Sequence, residues 1–323
     1  MINVKKESFV FTKQNYEKCL YQFVKKGTVS LYTIDDYGKP LHYFEEGKDY
    51  IVDYEKGEVK RTENSTIPDF SNHVFYGQNP FNQEGLPAQN WSNAKYTAYA
   101  DYISNENREI INCNEKINGF PKLFDKIEKG ENVRITVFGD SISTGAEATK
   151  GNAYFELLKK YIETKYNVGV EINNQSVCGD DTVAAIKRIK DIDLKCDLAI
   201  IAFGMNDQNY NQNEKIPFVP PKWYEYNISH FVDTFKSNGA EVMLVSPHLP
   251  NPKWIYTSGW LEDYVCVLKR ISEKQNVVFA NVYDTFKFVY MKGKSYESIL
   301  NNNINHPNDF GHELYFKTVK RFF

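Results

Sequence analysis

The chain is poor in cysteine, nearly balanced in charge, and free of long apolar runs. Its five cysteines, at positions 19, 113, 178, 196 and 266, form no Cys-x-x-Cys pair, which argues against a disulfide framework and against a zinc site. Lys and Arg number 39 against 42 Asp and Glu, so no electrostatic footprint for nucleic acid is visible. No stretch of about 18 apolar residues predicts a membrane span. We expect a globular protein with buried thiols and without a metal or other cofactor.

The first residues lack the apolar core of a secretion signal, because lysines and a glutamate interrupt residues 1–7. The expected location is therefore the cytoplasm, or outside the cell if a leader has been removed. The sequence predicts no particular oligomeric state.

The pattern of the chain changes near residues 105–130. Before this point, alternating segments at 28–33, 50–54, 58–61 and 95–102 predict antiparallel strands in a small β-sandwich. Beyond it, predicted strands at 133–138, 171–172, 198–203, 241–245 and 277–280 alternate with helical patterns at 154–166, 181–192, 223–238, 261–274 and after residue 311. This alternation predicts a flavodoxin-like three-layer α/β/α fold with a parallel five-stranded sheet. The predicted units are an accessory β-domain at 1–110, a linker at 111–130 and an α/β domain at 131–323.

Ser141 closes the tripeptide Gly139-Asp140-Ser141 at the end of the first predicted parallel strand. Residues that follow a strand at the carboxyl edge of an open α/β sheet lie where ligands bind. The spacing is not Gly-x-Ser-x-Gly, so the segment is not the nucleophile elbow of α/β-hydrolases. Taken alone, Ser141 is more simply explained as a helix N-cap.

Three further fragments follow Ser141 along the chain, and together with it they can supply a nucleophile, hydrogen-bond donors and a base. Gly179, between a strand and a helix, can present its backbone N–H to an anion or simply make a loop. Asn206 follows the most apolar strand and can donate a side-chain N–H or form an Asx turn. His306, fixed by Pro307, can accept a proton or merely pack in a loop. The other histidines lack a matching context, although His248 at a strand end is a minor candidate and the one in the last helix is expected to pack or cap: positions 42, 73, 230, 248 and 312.

These four fragments, in this order on an alternating α/β pattern, resemble the SGNH (GDSL-type) hydrolase family over residues 131–323. The resemblance implies that Ser141 is the nucleophile and His306 the base. It further implies an oxyanion hole formed by the backbone N–H groups of Ser141 and Gly179 with the side chain of Asn206. Members of the family cleave acyl esters of lipids, sugars and small alcohols, so a serine esterase without a metal is expected.

One position departs from the family pattern. The family usually has an aspartate three residues before the histidine, and this chain has Asn303 there. A neutral amide can orient an imidazole, but it cannot offset the charge of the imidazolium that forms. Three explanations compete. The first is a Ser–His dyad with a backbone carbonyl orienting His306, as in some carbohydrate esterases of the family; the second is another carboxylate, such as Asp284 or Asp309, that approaches in space; the third is an impaired enzyme. We favour the dyad because the rest of the set is intact, with Asn303 a possible orienting residue.

The N-terminal segment is rich in aromatic residues. Aromatic faces stack on sugar rings, and the resemblance extends to bacterial carbohydrate esterases with an N-terminal β-domain, although these side chains equally suit a small β core or a domain interface. We expect removal of O-acetyl groups from a carbohydrate. The alternatives are a lipase or thioesterase of the same family and a non-catalytic glycan-binding protein with a degenerate esterase domain. The residues concerned are tyrosines 16, 21, 32, 37, 43, 50, 54, 76, 96, 99 and 102, with Trp91.

Overall fold

The computed structural model describes residues 1–107, 109, 119–212 and 214–323. Cys113 and residues 111–118 of the expected linker lie outside this part of the chain. The remainder of the expected linker contains a helix, α1 (Pro121–Glu128), which buries Leu123 and Ile127. Throughout the described ranges, every helix is too short or too polar to cross a membrane.

The N-terminal region is antiparallel and β-rich. One sheet has four strands in the order β1-β7-β3-β4, and a second has three in the order β2-β6-β5. The predicted strand segments at 50–54 and 58–61 form a hairpin around Gly57, with Tyr50 paired to Arg61. The strands are β1 (Ile2–Val10), β2 (Glu17–Lys18), β3 (Ser30–Ile34), β4 (Pro40–Tyr43), β5 (Tyr50–Asp53), β6 (Glu58–Arg61) and β7 (Thr97–Ser104).

The C-terminal region contains the predicted parallel sheet of five strands. Its order is β9-β8-β10-β13-β14, which in chain order is 2-1-3-4-5, the flavodoxin-like arrangement, so the predicted fold class is confirmed. The strands are β8 (Val133–Gly139), β9 (Val170–Asn174), β10 (Leu198–Ala202), β13 (Glu241–Val245) and β14 (Val278–Ala280), with a short ribbon of β11 (Tyr210–Asn211) and β12 (Ile216–Pro217) outside the sheet.

Helices cover both faces of the parallel sheet. On the central strand β10, Ala199 and Ile201 pack in one buried cluster with α4, α5 and α6, whereas Leu198 and Ile200 belong to the cluster that includes α3, α7 and α9. All four side chains are fully buried, which explains the unbroken apolar run. The helices are α2 (Ser141–Thr144), α3 (Tyr154–Tyr166), α4 (Thr182–Arg188), α5 (Pro221–Ser237), α6 (Leu261–Gln275), α7 (Val282–Met291), α8 (Tyr296–Ile299) and α9 (Asp309–Val319).

The order of strands creates a switch point between β8 and β10. The two strands are neighbours, with Gly139 at the end of β8 paired to Ala202 at the end of β10. Chain connections leave this point in opposite directions along the sheet, so a crevice opens at the carboxyl ends of the two strands. Ser141 and Asn206 both follow these ends.

Candidate active site

Ser141 is the first residue of α2, directly after β8. The N-cap of this helix is Asp140, whose Oδ1 accepts a hydrogen bond of 2.9 Å from the N–H of Ile142. Asp140 therefore does the capping that the sequence alone would have given to Ser141, and the serine hydroxyl is left for another partner. Gly139 is needed here for space, because a Cβ would lie 2.6 Å from the carbonyl oxygen of Ala202 on the neighbouring strand.

The partner of Ser141 is His306. Oγ of Ser141 lies 2.8 Å from Nε2 of His306, although 165 positions separate the two residues in the chain. Burial lowers the pKa of His306 to about 4, so the imidazole is neutral near pH 7 and its Nε2 is able to accept the serine proton. The geometry is that of a nucleophile and its base.

The backbone of His306 is held by a compact turn rich in asparagine. Oδ1 of Asn302 accepts hydrogen bonds from three successive N–H groups, those of Ile304, Asn305 and His306, at 2.8–2.9 Å. The carbonyl of His306 in turn accepts the N–H of Asn301 at 2.7 Å. The run of asparagines at 301–303 thus builds the turn, a role that the sequence reasoning missed.

The side chain of Asn303, the candidate for orienting His306, has its hydrogen-bond partners in the N-terminal region. Its side-chain oxygen accepts from Nδ2 of Asn93 at 2.9 Å, and its Nδ2 donates to Oδ1 of Asn93 at 2.7 Å and to the carbonyl of Trp91 at 2.8 Å. Nδ2 also lies 3.2 Å from Nε2 of His73. Because these partners use the whole amide, the arrangement does not support an orienting role for Asn303.

The two other carboxylates considered for this role have different partners. Asp309 accepts hydrogen bonds from the N–H and the hydroxyl of Thr149 at 2.8 and 2.6 Å. Asp284 is exposed at the start of α7 and bonds the side chain of Asn281 at 2.6 Å. Among the described residues, no carboxylate is hydrogen-bonded to His306, so the geometry is that of a serine–histidine pair.

Gly179 and Asn206 lie on neighbouring loops at the same edge of the sheet. Gly179 has a φ of 81°, and a Cβ there would meet no atom within 4 Å, so the requirement for glycine is conformational. Nδ2 of Asn206 donates to the carbonyl of Asp180, next to Gly179, at 2.8 Å, and retains a second N–H. The Gly179 loop also returns to β8, because the N–H of Val177 donates to the carbonyl of Gly139 at 3.1 Å.

The sequence of the chain also matches a known protein family. The profile of the GDSL-like Lipase/Acylhydrolase family matches residues 137–314, more than half of the chain, and the match contains Ser141 and His306. The chain belongs to the GDSL-like lipase/acylhydrolase family. It is therefore a carboxylic ester hydrolase. No curated protein matches the sequence.

Solved structures resemble part of this chain. Axe2, an acetylxylan esterase from Geobacillus stearothermophilus, is 20% identical with a TM-score of 0.51, and the match covers 60% of this chain and 96% of Axe2. LAE5, an alpha/beta hydrolase enzyme from the metagenome of Lake Arreo, Spain, is 18% identical with a TM-score of 0.50, covering 58% of this chain and 93% of LAE5. At these identities the likeness is one of fold.

Two buried carboxyl groups, those of Asp140 and Asp207, anchor the loops of the site. Burial raises the pKa of both Asp140 and Asp207 to about 7. Asp140 caps the serine helix, and Asp207 accepts from the N–H and hydroxyl of Thr182, at 3.0 and 2.5 Å, at the start of α4. Each carboxyl thus fixes a site loop to a helix N-terminus rather than acting on His306.

An ion pair behind the Gly179 loop was not anticipated from the sequence. Nε of Arg188 donates to Asp180 at 2.6 Å, and Nη1 donates to the carbonyl of Gln175 at 2.6 Å, so one side chain ties both ends of the loop. The guanidinium also lies over the ring of Phe138 at 4.7 Å. Arg188 follows Asp180 by eight residues, about two turns of an α-helix. This spacing, from the residue just before the predicted helix to one inside it, was the available signal.

Two further histidines, His248 and His312, are buried and have partners other than Ser141. Nδ1 of His248 lies 2.8 Å from the hydroxyl of Tyr315, and Nδ1 of His312 faces the N–H of Tyr154 at 3.4 Å. Both side chains are fully buried, which agrees with packing roles. Within the described ranges, no group of three or more His, Cys, Asp or Glu side chains is placed to hold a metal.

Proposed function

We propose that the protein is a serine esterase that hydrolyses short-chain acyl esters, with O-acetyl groups on a carbohydrate as its substrates, through a Ser141–His306 dyad. The observation that carries the proposal is the 2.8 Å separation between Oγ of Ser141 and Nε2 of a neutral, partly buried His306. This is the contact that serine needs, because its hydroxyl is a poor nucleophile until a base removes the proton.

In the proposed reaction, Nε2 of His306 takes the proton as Oγ of Ser141 attacks the ester carbonyl. The tetrahedral oxyanion accepts the N–H groups of Ser141 and Gly179 and the second N–H of Asn206, a set in which a single donor is typically worth about 3 kcal/mol. His306 then returns its proton to the alcohol as it leaves. A water molecule, deprotonated by His306, cleaves the acyl-enzyme in the same way and releases the acid.

A dyad must stabilise the imidazolium without a carboxylate partner. Burial disfavours this cation, as the lowered pKa of His306 shows. The oxyanion forms beside the imidazolium and offsets its charge during the reaction, whereas no such anion is present in the resting enzyme. The dyad is therefore suited to acyl transfer and keeps His306 neutral between turnovers.

The carbohydrate part of the proposal is supported by two observations. The GDSL-fold neighbour Axe2 is described as an acetylxylan esterase. On the N-terminal region, Tyr37 and Tyr43 expose 63% and 59% of their surface, which makes their rings available for stacking on a sugar. Most of the other tyrosines of this region are buried and belong to its core: residues 21, 32, 50, 96, 99 and 102.

The test compares hydrolysis of p-nitrophenyl esters of increasing acyl length, and acetate release from acetylated glycans, by the wild type, Ser141→Ala and His306→Ala. We expect the rate to be highest for acetate and each variant to lose at least about 10³-fold in kcat. Ser143→Ala is the matched control, since its hydroxyl bonds Tyr154 at 2.9 Å, away from His306. Equal rates for wild type and Ser141→Ala would end the esterase assignment, and a rate that rises with acyl length would replace acetylesterase by lipase or thioesterase.

A further inference from the structure

We propose that Asn93 is a positioning residue for His306, and that the N-terminal region holds the turn carrying the base through a reciprocal amide pair between Asn93 and Asn303. This inference rests on the proposed function, because it takes His306 as the base. It assigns the N-terminal region a role within the active site, in addition to any contact with substrate.

Asn93 is fully buried and uses both its backbone and its side chain on the segment that leads to His306. Its N–H donates to the carbonyl of Asn301 at 2.5 Å. Its Nδ2 lies 2.9 Å from the carbonyl oxygen of Leu300 and 3.0 Å from that of Glu297, in addition to its contact with Asn303. One residue of the N-terminal region thus contacts four residues of a short segment, three through its side chain and one through its backbone N–H.

Asn303 completes the pair from the other side. The two amides each donate to the oxygen of the other, at 2.9 and 2.7 Å. Asn303 is 1% exposed and has a left-handed backbone with a φ of 62°, which asparagine tolerates better than most residues. Because the pair is buried, removal of either amide leaves the other with unsatisfied polar atoms.

Two hydrogen bonds connect Asn93 to the backbone of His306 through a single residue. The carbonyl of Asn301 accepts from Asn93 at 2.5 Å, and the N–H of Asn301 donates to the carbonyl of His306 at 2.7 Å. A displacement of Asn93 therefore moves Asn301, whose N–H donor holds one end of the turn. The imidazole follows, since its main chain is part of the same turn.

An apolar contact holds the same turn independently. Ile304, two residues before His306, is buried in a cluster with Phe75 and Phe81 of the N-terminal region and with Trp254. The N-terminal region therefore contacts the turn in two ways, through the amide pair of Asn93 and Asn303 and through aromatic rings that pack on Ile304. This double contact is what a loop needs to keep a catalytic side chain within a fraction of an ångström of its position.

The test uses two single variants that leave the backbone unstrained. Asn93→Ala suits a residue with φ −85° and ψ −6°, and Asn303→Gly suits the left-handed φ of 62°. We expect each to lower kcat by about 10- to 100-fold with little change in KM, the scale of a small misplacement of a catalytic group. The double variant should lose no more than the larger single loss, because the two amides act as one unit.

The pKa of His306, measured by the acidic limb of kcat/KM or by NMR titration, separates positioning from general destabilisation. In the wild type burial keeps this pKa at about 4. The other titratable groups that sense His306, His248 and His312, are themselves buried and neutral. In both variants a loosened turn admits water, so the pKa should rise toward the ordinary value of about 6.5.

Two controls complete the design. Asn90→Ala removes an exposed amide three residues before Asn93, and Val59→Ala destabilises the core of the three-stranded sheet; neither should change kcat or the pKa of His306. Folded variants with wild-type kcat and pKa would overturn the inference, as would equal changes in Val59→Ala. Should Asn93→Ala not fold, Asn303→Gly decides alone.

Ser141→Ala distinguishes the two levels of failure. If Ser141→Ala retains the wild-type rate, the proposed function is wrong, and the NMR pKa still tests the positioning of His306. If Ser141→Ala is inactive while the Asn93 and Asn303 variants turn over like the wild type, only the positioning role is wrong.

Discussion

Asn303→Asp restores the residue that the family usually has, and we expect it to weaken the protein without improving catalysis. Sequence logic predicts the opposite, because the substitution recreates the Asp-x-x-His spacing with His306. In the structure, however, the side chain at 303 is directed to Asn93 and Trp91. A carboxylate at position 303 would therefore face Asn93 and Trp91 rather than His306.

The size of the effect follows from the two hydrogen bonds that Nδ2 of Asn303 donates, 2.8 Å to the carbonyl of Trp91 and 2.7 Å to Oδ1 of Asn93. An aspartate replaces this donor by a second acceptor and leaves two buried oxygens unsatisfied. At about 1–3 kcal/mol for each, the free energy of unfolding should fall by about 2–6 kcal/mol. His73, 3.2 Å away, offers no ready compensation, because burial holds its pKa at about 4.

The loss of stability in Asn303→Asp should be larger at high pH than at low pH. Burial raises the folded-state pKa of the new carboxyl above its unfolded value of about 3.9, so the penalty grows as pH rises through that range. Below it the protonated acid can still donate one hydrogen bond. Urea unfolding at pH 5 and pH 8 should therefore show a larger difference between the wild type and Asn303→Asp at pH 8.

The assay for catalysis is kcat/KM on p-nitrophenyl acetate at pH 8. Asn90→Asp, which adds the same charge at an exposed position in the same region, should match the wild type in both rate and stability. A kcat/KM for Asn303→Asp above that of the wild type would show that the carboxylate turns toward His306, and the reasoning from the Asn93 pair would be refuted.

Three further outcomes can be checked directly. The kcat/KM of the wild type should fall only as pH approaches about 4, because the base acts when neutral and burial lowers the pKa of His306; a limb near 6.5 would contradict this. Arg188→Ala should lower kcat by about tenfold with little change in KM, since the ion pair with Asp180 holds the Gly179 loop; unchanged kcat on acetyl esters would remove that role. Lys294→Met should lower the free energy of unfolding by about 3–5 kcal/mol, because the 2.9 Å ion pair with Glu7 is fully buried, and Lys294→Met/Glu7→Gln should recover part of the loss in urea titrations.

The parallel sheet could be predicted from the sequence because its signals are local. Strand β10 is buried on both faces, so its apolar run has no polar interruption. Helix α3 was predicted with the bounds that it has, Tyr154–Tyr166, since its apolar residues recur at helical spacing. Boundaries set by distant contacts were less accurate. Strand β7 begins at Thr97 rather than 95, because residues 94–96 form a short 3-10 turn after Asn93, which is anchored to Asn301.

In the candidate site, too, the residues with a local sequence signal could be indicated in advance, and those that depend on a distant contact could not. Ser141, Gly179 and Asn206 each follow a strand or precede a helix, and that local context indicated their place at the carboxyl edge of the sheet. The partner of Asn303 had no local signal, because Asn93 lies 210 positions away in a loop of a different region. The departure of Asn303 from the family motif is visible in the sequence, but its hydrogen bonds with Asn93 depend on a tertiary contact that the sequence does not indicate.

The role of the N-terminal region changes once its contacts are considered. Its aromatic content suggested a surface for sugars, yet the buried tyrosines account for most of that content as core packing. The contacts that reach the site are instead made by the amide of Asn93 and by the apolar cluster around Ile304. In a triad a carboxylate on the loop itself orients the histidine, whereas here the residue at that position is Asn303, and its amide pairs with Asn93 of the N-terminal region. Under the proposed dyad mechanism, the position from which the family usually orients the base is therefore the one at which the N-terminal region would hold the turn that carries the base.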